Sequence, residues 1–311
     1  MSSLLLKVPL HPHETLASYC SRIAAMNGME SATEFASHFG FNFGRLVDGY
    51  QADIGVFSRL VGSPQGNLET GVVIQTKGFV KTSGGTFSRE FLDTDRCRFC
   101  PTCVATDVGP TYRLHRAYGR VEWMLKFIHT CPDHGIGLSK VSGHRLKAAD
   151  FSAQLRTRLD DLERLARKQS SRRPMRLQNY VINRLRGGEP EGIWLDEFPL
   201  QAAAHFTQLL GAMSRDGREP DLEEFEDKDW IEVAEIGFDI VSRGRQAVET
   251  TLEPFFDFKT VRRKVSLSML LGRLPVELLQ RLEQPGYRDL IKVLENAARW
   301  RYPTLISELP N

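Results

Sequence analysis

The chain has 311 residues, with 41 Lys and Arg against 39 Asp and Glu, so its formal net charge is only +2. Apolar residues make up 41% and charged residues 26%, a globular composition that excludes a disordered chain and suits two domains. No apolar run reaches the ~18–20 residues of a membrane span, and the start lacks the basic and long apolar regions of a signal peptide, so a cytoplasmic protein with no membrane partner is expected.

The first predicted helix covers 14–26, where Leu16, Tyr19, Cys20 and Ile23 recur at helical spacing and Gly28 follows as a stop. Ser31-Ala32-Thr33-Glu34 reads as a capping box opening a short helix with Phe35 and Phe39 on one side, ended by Gly40. Short helical pieces follow at 44–48 and 52–61. Helices joined by glycine turns predict a helix-turn-helix-like bundle over 1–64, although few Lys or Arg fall on it.

Helical pattern stops near Pro64. Val72-Val73-Ile74, Phe79-Val80 and Thr86-Phe87 are short β-type runs, separated by segments that include Ser83-Gly84-Gly85, and they lead into a cysteine cluster as zinc-ribbon hairpins do. The region 65–143 is therefore expected to be a zinc-ribbon β element. After Lys140 the pattern turns helical, with Leu155, Leu159, Leu162 and Leu165 forming one stripe. Ser170-Ser171-Arg172-Arg173-Pro174 breaks it as an exposed linker. Further helices are predicted at 175–186, 199–213, 231–246 and 268–300, with a break at Pro285-Gly286. The expectation is a mainly α fold in three parts: 1–64, 65–143 and a C-terminal helical domain over 144–311.

Charge is banded along this order. Residues 144–186 hold 12 basic and 4 acidic side chains, 187–257 hold 5 and 18, and 258–311 hold 10 and 5. A basic band can neutralise phosphates or pair with the acidic band beside it, and the pattern leaves both open. The phosphate candidates are Arg172, Arg173 and Arg176, and Arg262, Arg263 and Lys264.

Five cysteines are too few, and too clustered, for a disulfide framework. Cys100-Pro101-Thr102-Cys103 is followed, after 27 residues, by Cys131-Pro132-Asp133-His134. Both halves place two ligand types three apart, so one tight turn can aim both at one ion. Cys100, Cys103, Cys131 and His134 make a closed set for Zn²⁺. Cys97 lies three residues before Cys100 and is a rival ligand; the proline shared by both knuckles favours Cys100 with Cys103. His115 and His129 are nearer to packing residues. Trp123 is expected to pack near the knuckle.

Four protein ligands leave no position for reactive water, so the zinc reads as structural. Deaminase, metalloprotease, P-loop and nucleophile-elbow motifs are all missing, and the chain reads as no enzyme.

Two blocks resemble the TniQ family of transposition proteins. The first is Pro9, Pro12, Glu14-Thr15-Leu16-Ala17-Ser18-Tyr19, Arg22-Ile23-Ala24 and Asn27-Gly28. The second is Cys100-Pro101-Thr102-Cys103, Tyr112, Trp123 and Cys131-Pro132-Asp133-His134-Gly135. The resemblance covers roughly residues 5–140 and is diffuse over 175–300. It implies a non-enzymatic adaptor that links target DNA, or a guide-RNA effector complex, to an AAA+ ATPase transposition regulator, with a homodimer as one assembly state. No cysteine follows Cys131, so a second cysteine-based finger is not expected. A zinc-containing DNA-binding transcription regulator is the alternative reading.

Overall fold

Thr15 opens the first helix because its hydroxyl accepts the Ser18 amide at 3.0 Å, so α1 spans Leu16–Met26 and buries Leu16, Tyr19, Cys20 and Ile23. Gly28, at φ +76°, takes the left-handed conformation that ends it. The computed structural model describes residues 6–68, 73–74, 79–82, 85–168, 175–256, 265–303 and 305–309. Among them the fold is mainly helical with small two- and three-stranded sheets.

Helix α2 (Ala32–His38) uses half of the expected capping box. Ser31 accepts the Glu34 amide at 3.1 Å, but the Glu34 carboxylate takes the Glu30 amide instead of that of Ser31. Helices α3 (Phe43–Val47) and α4 (Gln51–Val61) follow, then α5 (Gln65–Leu68), one more turn after Pro64 than the sequence suggests.

Strands β1 (Val73–Ile74), β2 (Phe79–Thr82) and β3 (Gly85–Ser88) form an antiparallel meander. Val72, Ser83 and Gly84 of those predicted runs lie outside the described residues. This meander is not the sheet beside the cysteines. That sheet pairs β4 (Arg96–Phe99) with β5 (Ser139–Ser142), Cys97 opposite Val141, so the strands bracket the cysteine segment from its two ends. Helix α6 (Pro101–Val108) leaves β4 directly.

The segment after β5 forms α7 (Arg145–Ala149) and α8 (Phe151–Arg156), and the predicted leucine stripe is divided among α8, a 3-10 turn at Leu159–Asp161 and α9 (Leu162–Lys168). The break between α7 and α8 has a cause in Asp150. This buried carboxylate accepts the Ala153 amide to cap α8, the Ala32 amide at the start of α2 (2.7 Å) and the Ser21 hydroxyl of α1. Ser21 Oγ in turn accepts the Ser152 amide at 2.8 Å.

Contacts divide the chain into Met1–Pro174 with Leu185–Gly187, and Met175–Arg184 with Gly188–Asn311. In the first unit Asp150 fastens the segment after β5 to the N-terminal helices, and α9 packs on α6.

The second unit contains α10 (Arg176–Leu185), α11 (Leu200–Asp216), α12 (Asp227–Val241), α13 (Arg245–Leu252), β6 (Val265–Ser266), α14 (Leu267–Leu271), α15 (Arg273–Leu279), α16 (Tyr287–Arg299) and β7 (Leu305–Ile306), which runs parallel to β6. Helices α11 and α12 cross so closely that a Cβ on Gly211 would sit 1.8 Å from the Val233 carbonyl oxygen, and one on Gly237 1.9 Å from that of Thr207. The helix predicted over 231–246 stops at Val241 and restarts after Gly244 at φ +95°. Over the segment 268–300 the break expected at Pro285-Gly286 separates α15 from α16, and a further break at Gly272 separates α14 from α15.

Candidate metal centre

Cys100 follows β4 as the N-cap of α6, and Pro101 takes the first helical position, where a missing N–H costs nothing. The Cys103 amide donates to Cys100 Sγ at 3.5 Å. Both sulfurs thus lie at a helix N-terminus, where backbone N–H groups favour negative charge. The second knuckle is a tight turn: the Gly135 amide donates to the Cys131 carbonyl (2.9 Å), the Cys131 amide to that of Ile136 (2.8 Å), and Gly135 takes φ +61°.

The two knuckles bring together Cys100, Cys103, Cys131 and His134, whose ligand atoms all lie within 4.8 Å of one another. His134 Nδ1 stands 3.6 Å from Cys100 Sγ, 3.3 Å from Cys103 Sγ and 3.5 Å from Cys131 Sγ, and the Cys103 and Cys131 sulfurs are 3.5 Å apart. A tetrahedron with bonds of about 2.1–2.3 Å has edges of about 3.4–3.8 Å, so this spacing fits a single ion at the centre. It is far too long for a disulfide bond of about 2.05 Å. The three cysteines are buried, while His134 lies at the surface.

The sulfurs also conflict electrostatically without a cation. Hydrogen bonds from Cys103 and Cys131 bring the Cys100 thiol down to about 3, and the same contacts with Cys100 and Cys131 drive Cys103 upward. A divalent ion removes the conflict, because it accepts every sulfur as thiolate. A set of three sulfurs and one imidazole nitrogen is the donor chemistry of Zn²⁺.

Cys97 is not part of the cluster. It is buried in β4, and burial, with Asp150 adding repulsion, pushes its thiol up to about 12. Neither His115 nor His129 joins the group. Trp123 is buried against Phe151, ring centroids 6.2 Å apart, with the Arg120 guanidinium 4.6 Å from its own ring.

The N-terminal block forms a buried clasp. Arg22 meets Glu14 at 2.6 Å, with the two side chains 2% and 0% exposed. Glu14 also accepts the His11 amide and the Ser18 hydroxyl, and Ser18 Oγ accepts the Gly119 amide at 2.7 Å. Arg22 donates to the His115 carbonyl at 2.8 Å, and Thr15 N to that of Gly119 at 3.0 Å. The block thus ties α1 to residues 115–121, which lie between the knuckles. Burial lifts the Glu14 carboxyl to about 7, against the pull of Arg22. Sequence reading found these residues but not their partners, which lie about a hundred positions away.

Of the phosphate candidates, Arg172, Arg173, Arg262, Arg263 and Lys264 lie outside the described residues. Arg176 opens α10 half-exposed, paired with Asp239 at 3.1 Å and Glu235 at 3.4 Å. Among the described residues no helix is long and apolar enough to cross a membrane.

The TniQ family model matches residues 5–138. No curated protein matches the chain. The matched stretch holds the Glu14–Arg22 clasp and all four donors of the cluster, and over these residues the chain is similar to the TniQ family, an adaptor family associated with transposition.

Proposed function

We propose that the protein is a zinc-stabilised adaptor in DNA transposition, joining target DNA or a guide-RNA effector complex to an AAA+ ATPase regulator. The family match over residues 5–138, which spans both knuckles, is the observation that carries this reading. Cys100, Cys103, Cys131 and His134 hold the zinc, which supplies a fixed cross-link between α6 and the second knuckle. With four protein donors, no coordination position remains for a reactive water. Arg176, with the arginine and lysine clusters at 172–173 and 262–264, is assigned to DNA phosphates; at Arg176 this contact competes with Asp239 and Glu235. A pull-down with an AAA+ transposition regulator from the same locus tests the reading. Association at low salt in at least one nucleotide state is expected. Its failure in both states, with sequence-specific duplex binding by the isolated protein, selects the transcription-regulator alternative.

A further inference from the structure

Arg120 stands between the clasp and the cysteine cluster. Its guanidinium faces the Asp107 carboxylate with two contacts, 3.3 and 3.5 Å, and both side chains are largely buried. Asp107 lies one turn beyond Cys103 on α6, so this pair fastens the helix that presents two of the sulfurs. The guanidinium also lies 4.2 Å from the Tyr118 ring centroid and 4.6 Å from that of Trp123, and His11 stacks on Tyr118 at 4.3 Å. The backbone at Arg120 bridges to Glu14, and the next residue, Val121, donates to the His13 carbonyl at 2.8 Å. One residue therefore touches the N-terminal clasp through its main chain and the metal-bearing helix through its side chain.

Charge gives this position a purpose. Removing either partner of the Arg120–Asp107 pair would strand the other charge in a mostly buried place, on the helix that presents Cys100 and Cys103. Burial works against the charge on Arg120, and the facing Asp107 carboxylate offsets it. Stacking between aromatic rings holds the guanidinium in place.

We propose that Arg120 is the positioning residue of the metal centre: through its ion pair with Asp107 it holds α6, and with it Cys100 and Cys103, so that the zinc is retained. The inference rests on the assignment of the four donors to zinc, but not on any transposition partner. Arg120→Lys keeps the charge and gives up the planar fork, whereas Arg120→Gln removes the charge.

The test is the rate at which the purified, zinc-loaded full chain gives up its metal to a chromophoric chelator. Arg120→Gln is expected to release zinc about ten times faster than the parent protein, with Arg120→Lys restoring most of the difference. The Co²⁺-loaded forms should keep one tetrahedral thiolate spectrum throughout, showing that the donors are unchanged. Equal release from parent and Arg120→Gln overturns the proposal. So does equal acceleration in both variants, which assigns Arg120 to packing alone. A parent protein that contains no zinc fails the metal assignment instead, and is recognised before any variant is compared.

Discussion

The two units are held together by different chemistry. In the first, buried polar groups carry the architecture: the Glu14–Arg22 pair, the Asp150 carboxylate joining three helices, and the cluster of three sulfurs and a nitrogen. In the second, α11 is buried along nearly its whole length and presses on α12 through Gly211 and Gly237. Polar networks are directional and costly when half-satisfied, whereas apolar contact tolerates sliding but not added volume. Each unit should therefore fail under a different insult.

Metal removal should separate them most strongly. Stripping the zinc is expected to cost the first unit on the order of 10 kcal/mol, as cysteine-based sites couple binding to folding. Hydrogen exchange after chelation should show protection lost across β4, α6 and β5 while α11 and α12 stay protected. Loss spread evenly over both units would erase the distinction.

Added volume should do the reverse. Gly211→Ala pushes a Cβ against the Val233 carbonyl, a backbone atom that cannot yield. A loss of about 3–4 kcal/mol is expected, confined to the second unit in chemical denaturation followed by exchange. In the first unit, Asp150→Ala strands the Ala32 amide and the Ser21 hydroxyl, with an expected loss of about 3 kcal/mol. Denaturation of the metal-loaded protein checks it.

How much of this contrast the sequence discloses depends on distance along the chain. The knuckles are visible because each is a four-residue pattern, α1 because its apolar residues recur at helical spacing before Gly28, and α2 because Ser31 caps it locally. The β4–β5 pairing joins segments on opposite sides of the whole cysteine stretch, so the nearer β-type runs at 72–87 drew the ribbon assignment instead. The break between α7 and α8 comes from Asp150, whose partners Ser21 and Ala32 lie more than a hundred residues away. Arg176 looks like a free cation in sequence because Glu235 and Asp239 are about sixty residues away. Arg120 gives no local signal; only its neighbours in space mark it.

Acidity offers the finest separation. Glu14 is raised to about 7 when folded against an ordinary 4.5, so the folded state holds the extra proton between those values. Its contribution to stability is present at acid pH and is lost as pH rises towards 7. His205, buried and hydrogen-bonded to the Tyr287 hydroxyl at 3.2 Å, is lowered to about 3 by burial and then by Arg281. Its contribution is present above about 6.5 and is lost as pH falls. Between pH 4.5 and 6.5 the two groups thus oppose each other across the units. The stability of the parent minus that of Glu14→Gln should fall by roughly 3 kcal/mol as pH rises from 4.5 to 7, an order-of-magnitude figure from the shift. The matching difference for His205→Gln should rise over the same interval.

Zinc-edge X-ray absorption on the purified protein tests the metal assignment most directly. Three sulfurs and one nitrogen around a single ion, with no oxygen and no change on Cys97→Ala, is the predicted coordination shell. A bound water oxygen, or a sulfur that disappears with Cys97, would contradict it.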